Sequence, residues 1–327
     1  MSCLQVSLPN LEVLDIVELE NLETLGHGPL SEGSLSKLKE FSVCDCSKLL
    51  RALPSQLLPM LRDLEKLSIE GCNLLEVIFD HELEEVDSNE PNPEILSTLK
   101  LVQLRYLPKL IYISKGDSMG FKYIQTLEIF ACDSLRYVFA PTMTKSIPQL
   151  RKLKLSRCKT LSRIVAEENG MGESSVVEVE FPQLERLELR YLPNLRRFCY
   201  STHLLELPRL CEMDISFCRS MDAFSLGHVS APNLSLPGIL WNGDLNNAIQ
   251  LLQKKWKKKE EEEQRRREEA KEERRMEADV DEDKEVSMYA GHGRTGLAIE
   301  RPSSVFLERC RASTAVFIPV ISFCNLH

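Results

Sequence analysis

Apolar residues recur along this chain in the order L-x-x-L-x-L-x-x-L-x-x-L. The first copy is Leu11, Leu14, Ile16, Leu19, Leu22 and Leu25. The second begins at Leu38 and continues through Phe41, Val43, Cys46 and Leu49. Further copies open at Leu64, Leu99, Ile124, Leu150, Leu184 and Leu210, and a worn copy opens at Leu234. The steps between these anchors are 27, 26, 35, 25, 26, 34, 26 and 24 residues. Within each copy the x-L-x-L-x core alternates with period two, which predicts a short strand with its leucines turned inward. Pro9, Pro148, Pro182, Pro208 and Pro232 stand two residues before an anchor, where proline fixes the entry turn without a ladder hydrogen bond.

A period of about 20–29 residues with this signature predicts a leucine-rich-repeat solenoid. The expected fold is an α/β horseshoe of about 8–9 repeats over residues 1–240, with a parallel inner sheet and outer segments that are irregular or form short helical turns. Two long steps place insertions at about 80–94 and 166–180, both acidic and rich in turn formers, so they should be surface loops. The repeats fade after Phe224. A capping helix is predicted within 241–256, N-capped by Asp244, with Leu245, Ala248, Ile249, Leu252 and Trp256 on one face. Such a helix would cover the open end of the last repeat, which solenoids need for solubility. The amino end shows no equivalent cap, which points to the carboxy-terminal piece of something longer.

Composition then shifts. Residues 254–285 hold 12 basic and 14 acidic side chains, with Glu261–Arg265, Glu262–Arg266 and Glu263–Arg267 in the favourable i,i+4 order. This segment has no apolar heptad seam. The expectation for 257–285 is a charged helical or disordered extension, and for 286–327 a poorly ordered tail without assignment. Gly291-His-Gly-Arg-Thr-Gly296 fits G-x-G-x-x-G, but lacks the preceding strand and following helix that a dinucleotide site requires.

Charge and chemistry narrow the function. The net charge is −9 with pI near 5.4, which gives no reason to expect nucleic acid. The longest apolar run, Ala315 to Phe323, is half a membrane span and contains Pro319, and the first residues lack the pattern of a secretory signal. Of eleven cysteines, Cys46, Cys72, Cys132, Cys158 and Cys218 share the slot that Leu19, Leu107 and Leu192 fill elsewhere. A slot that takes either residue is buried and apolar, so reduced thiols and a cytoplasmic location are expected. The Asn233-Leu-Ser235 sequon is then expected to be unused. No C-x-x-C pair and no H-x-x-x-H spacing occurs, so no metal site, no cofactor and no enzymatic activity are expected.

Three segments carry a family resemblance: Phe181-Pro-Gln-Leu-Glu-Arg-Leu-Glu-Leu-Arg-Tyr-Leu-Pro-Asn-Leu, Leu64-Glu-Lys-Leu-Ser-Ile-Glu-Gly-Cys-Asn-Leu-Leu and Leu150-Arg-Lys-Leu-Lys-Leu-Ser-Arg-Cys-Lys-Thr-Leu. Their alternation of Tyr-Leu-Pro-x-Leu and Cys-x-x-Leu copies resembles the repeats of plant intracellular nucleotide-binding, leucine-rich-repeat disease-resistance proteins of the coiled-coil type. Trp241-Asn-Gly-Asp-Leu-Asn-Asn-Ala-Ile-Gln250 is similar to the close of that family's repeat domain. The resemblance covers roughly residues 8–253. It implies a recognition module whose partner is a pathogen effector, a guarded host protein or the receptor's own nucleotide-binding domain. No G-x-x-x-x-G-K-[ST] loop occurs in the sequence, so nucleotide binding is carried over to no residue.

The expected binding face consists of the strand residues that point away from the leucines. These are Asp15, Val17, Glu40, Ser42, Lys66, Ser68, Glu70, Gln103, Arg105, Glu128, Phe130, Lys152, Lys154, Arg186, Glu188, Arg190, Glu212 and Asp214. Basic rungs at Lys152, Lys154, Arg186 and Arg190 adjoin an acidic one at Glu212 and Asp214, a mixture suited to a specific protein partner. Phe130, expected to be exposed, is the candidate anchor. The alternative is a leucine-rich-repeat scaffold, or a ubiquitin-ligase substrate adaptor lacking its amino-terminal domain.

Overall fold

In the computed structural model the described residues are 8–25, 33–80, 96–114, 123–140, 147–166, 180–236 and 242–290, with side chains of the last segment described to Glu273. The chain divides into two units, Met1–Glu262 and Glu263–His327. The first is built on eight parallel five-residue strands: β1 (Val13–Val17), β2 (Glu40–Cys44), β4 (Lys66–Glu70), β6 (Leu101–Arg105), β8 (Thr126–Phe130), β9 (Lys152–Ser156), β10 (Arg186–Arg190) and β12 (Glu212–Ser216). Each anchor leucine or isoleucine precedes its strand by two residues, so the sequence steps become the ladder register: Lys66 pairs with Leu101 and Lys152 with Arg186 across the two long steps. The inserted loops themselves lie almost wholly outside the described residues, as does the G-x-G-x-x-G segment. The worn copy at Leu234 contributes a buried side chain, but the place for a ninth strand falls mostly on 237–241, also outside them.

Two β-turns bracket most of the described rungs. Before the strand, the anchor N–H donates to the carbonyl three residues back, as in Leu150→Ile147 (3.4 Å) and Leu210→Leu207 (3.2 Å). Pro148 and Pro208 therefore sit at the second turn position, which their fixed φ suits. After the strand, a second turn opens at the Leu-or-Cys slot, as in Leu49→Cys46 (3.1 Å) and Leu195→Leu192 (3.3 Å). Between strand and second turn the backbone swings left-handed. Glu18, Asp45, Gly71, Tyr106, Ala131, Arg157, Tyr191 and Phe217, each the residue after a strand, all have φ between +52° and +68°.

The inward leucines stack into one continuous core with Phe79, Phe181, Phe198 and Phe224. Phe198 and Phe224 stack at 4.5 Å, and Phe181 meets Phe198 edge-on at 5.4 Å. The five slot cysteines are all fully buried. Their thiols also donate to the carbonyl two residues back, at 3.5 Å in Cys46, Cys72 and Cys158, which leucine cannot do. Burial pushes the Cys72 and Cys158 thiols up to about 11 and Cys218 to about 12, so these sulfurs stay protonated and inert. In the first rung, at the sheet edge, Leu19 occupies the same slot and remains half exposed.

The outer side differs from expectation in using strand as well as turn. β3 (Arg51–Pro54), β5 (Val77–Asp80) and β7 (Tyr112–Ser114) form a three-stranded parallel sheet, and β11 (Leu205–Glu206) pairs with β13 (Val229–Ser230). Helix there includes a short 3-10 turn, Leu58–Met60. Asp80, the buried last residue of β5, takes Arg51 at 2.7 Å.

The expected capping helix and charged extension are one continuous helix, α1 (Leu245–Ala290), which runs past the anticipated boundaries at 256 and 285. Asp244 caps it as expected, its Oδ1 accepting from Asn246 N at 3.0 Å. Leu245, Ala248 and Ile249 are buried, and Leu252 and Trp256 are half-buried. The three expected Glu→Arg pairs do not form among the described side chains. Arg265 instead reaches forward to Glu269 (3.5 Å), while Glu260 holds Arg219 of the last rung (2.8 Å). Exposed pairs of this kind are nearly isoenergetic, so sequence order alone does not select between them.

Candidate protein-binding face

Because all eight strands are parallel and paired without slippage, alternate residues line up into columns on the open face of the sheet. The first column reads Val13, Glu40, Lys66, Leu101, Thr126, Lys152, Arg186, Glu212. The middle column reads Asp15, Ser42, Ser68, Gln103, Glu128, Lys154, Glu188, Asp214, and the third Val17, Cys44, Glu70, Arg105, Phe130, Ser156, Arg190, Ser216. All the strand residues expected to meet a partner stand in these columns on the open face of the sheet.

Charges on this face are mostly matched across rungs. Lys66 binds Glu40 at 2.8 Å. Glu128 is a hub: Gln103 Nε2 donates to it at 2.9 Å, and Lys152 (3.5 Å), Lys154 (3.8 Å) and Arg105 (3.8 Å) surround it. Lys154 continues to Glu188 (3.4 Å), Arg190 spans Glu188 (3.8 Å) and Asp214 (2.8 Å), and Arg186 meets Glu212 (2.7 Å). Burial alone would raise the Glu128 carboxyl, but the Gln103 hydrogen bond and the charges of Lys154 and Lys152 outweigh it and hold the group below its ordinary value. Side-chain hydrogen bonds and opposite charge raise Arg186 and Arg190, through Glu212 and Asp214. Glu70 stands in register with Arg105, yet Arg105 turns to Glu128 instead. A shallow hollow of about 340 Å³ opens among Arg105, Tyr106, Glu128, Phe130, Lys154, Glu188 and Arg190.

Phe130 is half-buried, which corrects the expectation of an exposed anchor. Tyr106 packs edge-on against it at 5.1 Å and the Arg157 guanidinium lies 5.5 Å over its ring. Three large exposed aromatics, Tyr106, Tyr191 and Phe217, instead stand at left-handed stations just past their strands. Sequence reasoning missed them because it read only the strand residues. The signal was present in the repeat of an aromatic immediately before the Leu-or-Cys slot.

Among the described residues, no group of three or more His, Cys, Asp and Glu is arranged to hold a metal ion, and no helix is long and apolar enough to cross a membrane. The sequon residue Asn233 directs its amide to Pro208 O at 2.6 Å.

Comparison with known proteins places this scaffold. A family model described as plant disease resistance protein RPS2-like, leucine-rich repeats, matches residues 10–159. Over those residues the repeats are similar to the plant disease-resistance type. Two probable disease resistance proteins of Arabidopsis thaliana are each 32% identical, over 105 residues (31% of this chain) and 143 residues (42%). The matched stretches span only 12% and 15% of those relatives. Among solved structures, the leucine-rich repeat domain of the type III effector XopL covers 68% of this chain and 77% of its own, at 19% identity and a TM-score of 0.42.

Proposed function

We propose that this chain is a non-catalytic protein-recognition module of a plant disease-resistance receptor of the coiled-coil type, acting in the cytoplasm. Its partner is a pathogen effector, a guarded host protein or the receptor's own nucleotide-binding domain, and it docks on the open face of the eight-stranded sheet. The observation that carries this reading is the face itself. Eight in-register strands present columns of alternating charge from Lys66 to Asp214 on a rigid backbone, and the repeats match those of disease-resistance proteins. Charges already matched across rungs favour orientation and selectivity over raw affinity, because a partner must exchange each intramolecular pair for an intermolecular one.

The test is a pairwise interaction screen of the full chain against secreted pathogen proteins and host proteins, followed by charge reversal at Arg186 and Arg190 (R186E with R190E). Both side chains are exposed pairs, so folding should survive. A recovered interaction should weaken at least tenfold. An interaction set that is unchanged by the double reversal would sink the reading.

A further inference from the structure

One edge of the open face carries a column that the ion-pair network does not include. Tyr106, Phe130, Arg157, Tyr191 and Phe217 form an unbroken series over five rungs. Phe130 and Tyr191 flank the Arg157 guanidinium at 5.5 and 5.6 Å, and Tyr191 stacks on Phe217 at 4.5 Å with ring planes 5° apart. Tyr106, Tyr191 and Phe217 are 51%, 46% and 52% exposed.

Two facts set this column apart from ordinary surface. Tyr106, Arg157, Tyr191 and Phe217 all hold φ between +52° and +59°, a conformation that bulky side chains adopt only at a cost. The fold does not need them there, since Gly71 and Ala131 occupy the same station in other rungs. Arg157 is also exceptional in charge. Lys66, Arg105, Lys152, Lys154, Arg186 and Arg190 each have a carboxylate within 4 Å, whereas Arg157, exposed, has none among the described residues. Flanked by two rings and exposed, its guanidinium is left to make a charge-assisted hydrogen bond to an incoming carboxylate.

We propose that this strand-exit column is a docking site for a partner-protein segment in which an acidic side chain adjoins an aromatic one. Arg157 takes the carboxylate, and the partner's ring extends the stack on Tyr191 and Phe217. The proposal deepens the recognition function above and rests on it. A phosphate-bearing strand fits less well: Glu128 and Glu188 line the adjoining hollow, and Glu18 and Asp45 fill the same station in earlier rungs.

The test pans phage-displayed random heptapeptides against the full chain, the R157Q and R157G variants, and the R186E/R190E double variant, with fluorescein-labelled oligouridylate as a further probe. Selection on the native chain should enrich Asp or Glu beside Trp, Tyr or Phe, and the enriched peptide should bind R157Q at least tenfold more weakly. R157G separates function from folding, because glycine suits the left-handed backbone. Its thermal stability should hold or rise while peptide binding is lost. Absence of acidic–aromatic enrichment, equal binding to R157Q, or Arg157-dependent binding of oligouridylate alone each overturns the proposal. Peptides lost in R186E/R190E but kept in R157Q would overturn it while leaving open-face recognition intact.

Discussion

Asn246 replaces the neighbour that the last rung lacks. Internal rungs donate backbone hydrogen bonds to the next, as where Phe198 N donates to Phe224 O at 2.9 Å. Beyond Phe224 the side chain of Asn246 takes over. Its Oδ1 accepts from Phe224 N (2.8 Å) and Ser225 N (3.1 Å), and its Nδ2 donates to Gly227 O (2.8 Å). Asn246→Ala would strand all three groups. A buried orphan costs about 1–3 kcal/mol, and the space left by the shortened side chain admits water to part of the set, so a total of roughly 2–4 kcal/mol is expected. The loss should be local, because solenoid stability is a sum of rung and interface contributions. Hydrogen exchange of Phe224–Gly227 should therefore accelerate about 30- to 700-fold, with rungs around β4 unchanged. Asn246→Asp, which keeps the acceptor and loses the donor, should fall between. Acceleration of less than threefold, or acceleration spread evenly over all rungs, would refute the idea that one side chain closes the ladder.

Four further outcomes follow from the packing. Leu153→Ala, at a fully buried ladder position, should cost about 2–5 kcal/mol in denaturant unfolding. Gly227→Ala should prevent the last rung from closing, since an added Cβ would lie 2.3 Å from His203 O and 2.5 Å from Thr202 O, and its circular-dichroism melt should show an early transition. Peptide mapping after brief alkylation at pH 8 should find Cys211, exposed, labelled well before Cys44, whose thiol burial and Asp45 push up to about 12. Glu128 and Asp222 have carboxyls held below their ordinary values of 4.5 and 3.8, the latter first by its hydrogen bond from Arg197. Depressed folded-state values contribute stability that is present above those ordinary values and is lost as pH falls through the folded ones. Glu128→Gln should accordingly flatten the acid limb of an unfolding-midpoint profile below about pH 4.5.

Strand positions were legible because each needs only its own inward leucines. The register followed, since the anchor spacing is the rung spacing. Burial of the slot cysteines was legible from leucine substituting at the same place. What escaped was relational. Asn246 is one amide among several polar residues, and its role exists only once the chain has brought Phe224 and Gly227 beside it. The left-handed stations hold Glu, Asp, Gly, Tyr, Ala, Arg, Tyr and Phe, of which only Gly71 announces its backbone. Phe130 read as exposed because the residues covering it, Tyr106 and Arg157, come from neighbouring rungs and point along the sheet edge.

The fixed ladder register also governs the entropy of folding. Each new strand closes a loop of about one repeat, such as the 26 residues from Glu40 to Lys66, wherever it lies in the stack. The longest step, 35 residues from Lys66 to Leu101, adds only about 0.3 kcal/mol of closure entropy over that. Loop length is thus nearly free to vary between rungs while strand pairing is not. Relative contact order falls as rungs accumulate, so lengthening the array need not slow the zipping of any one rung onto the next.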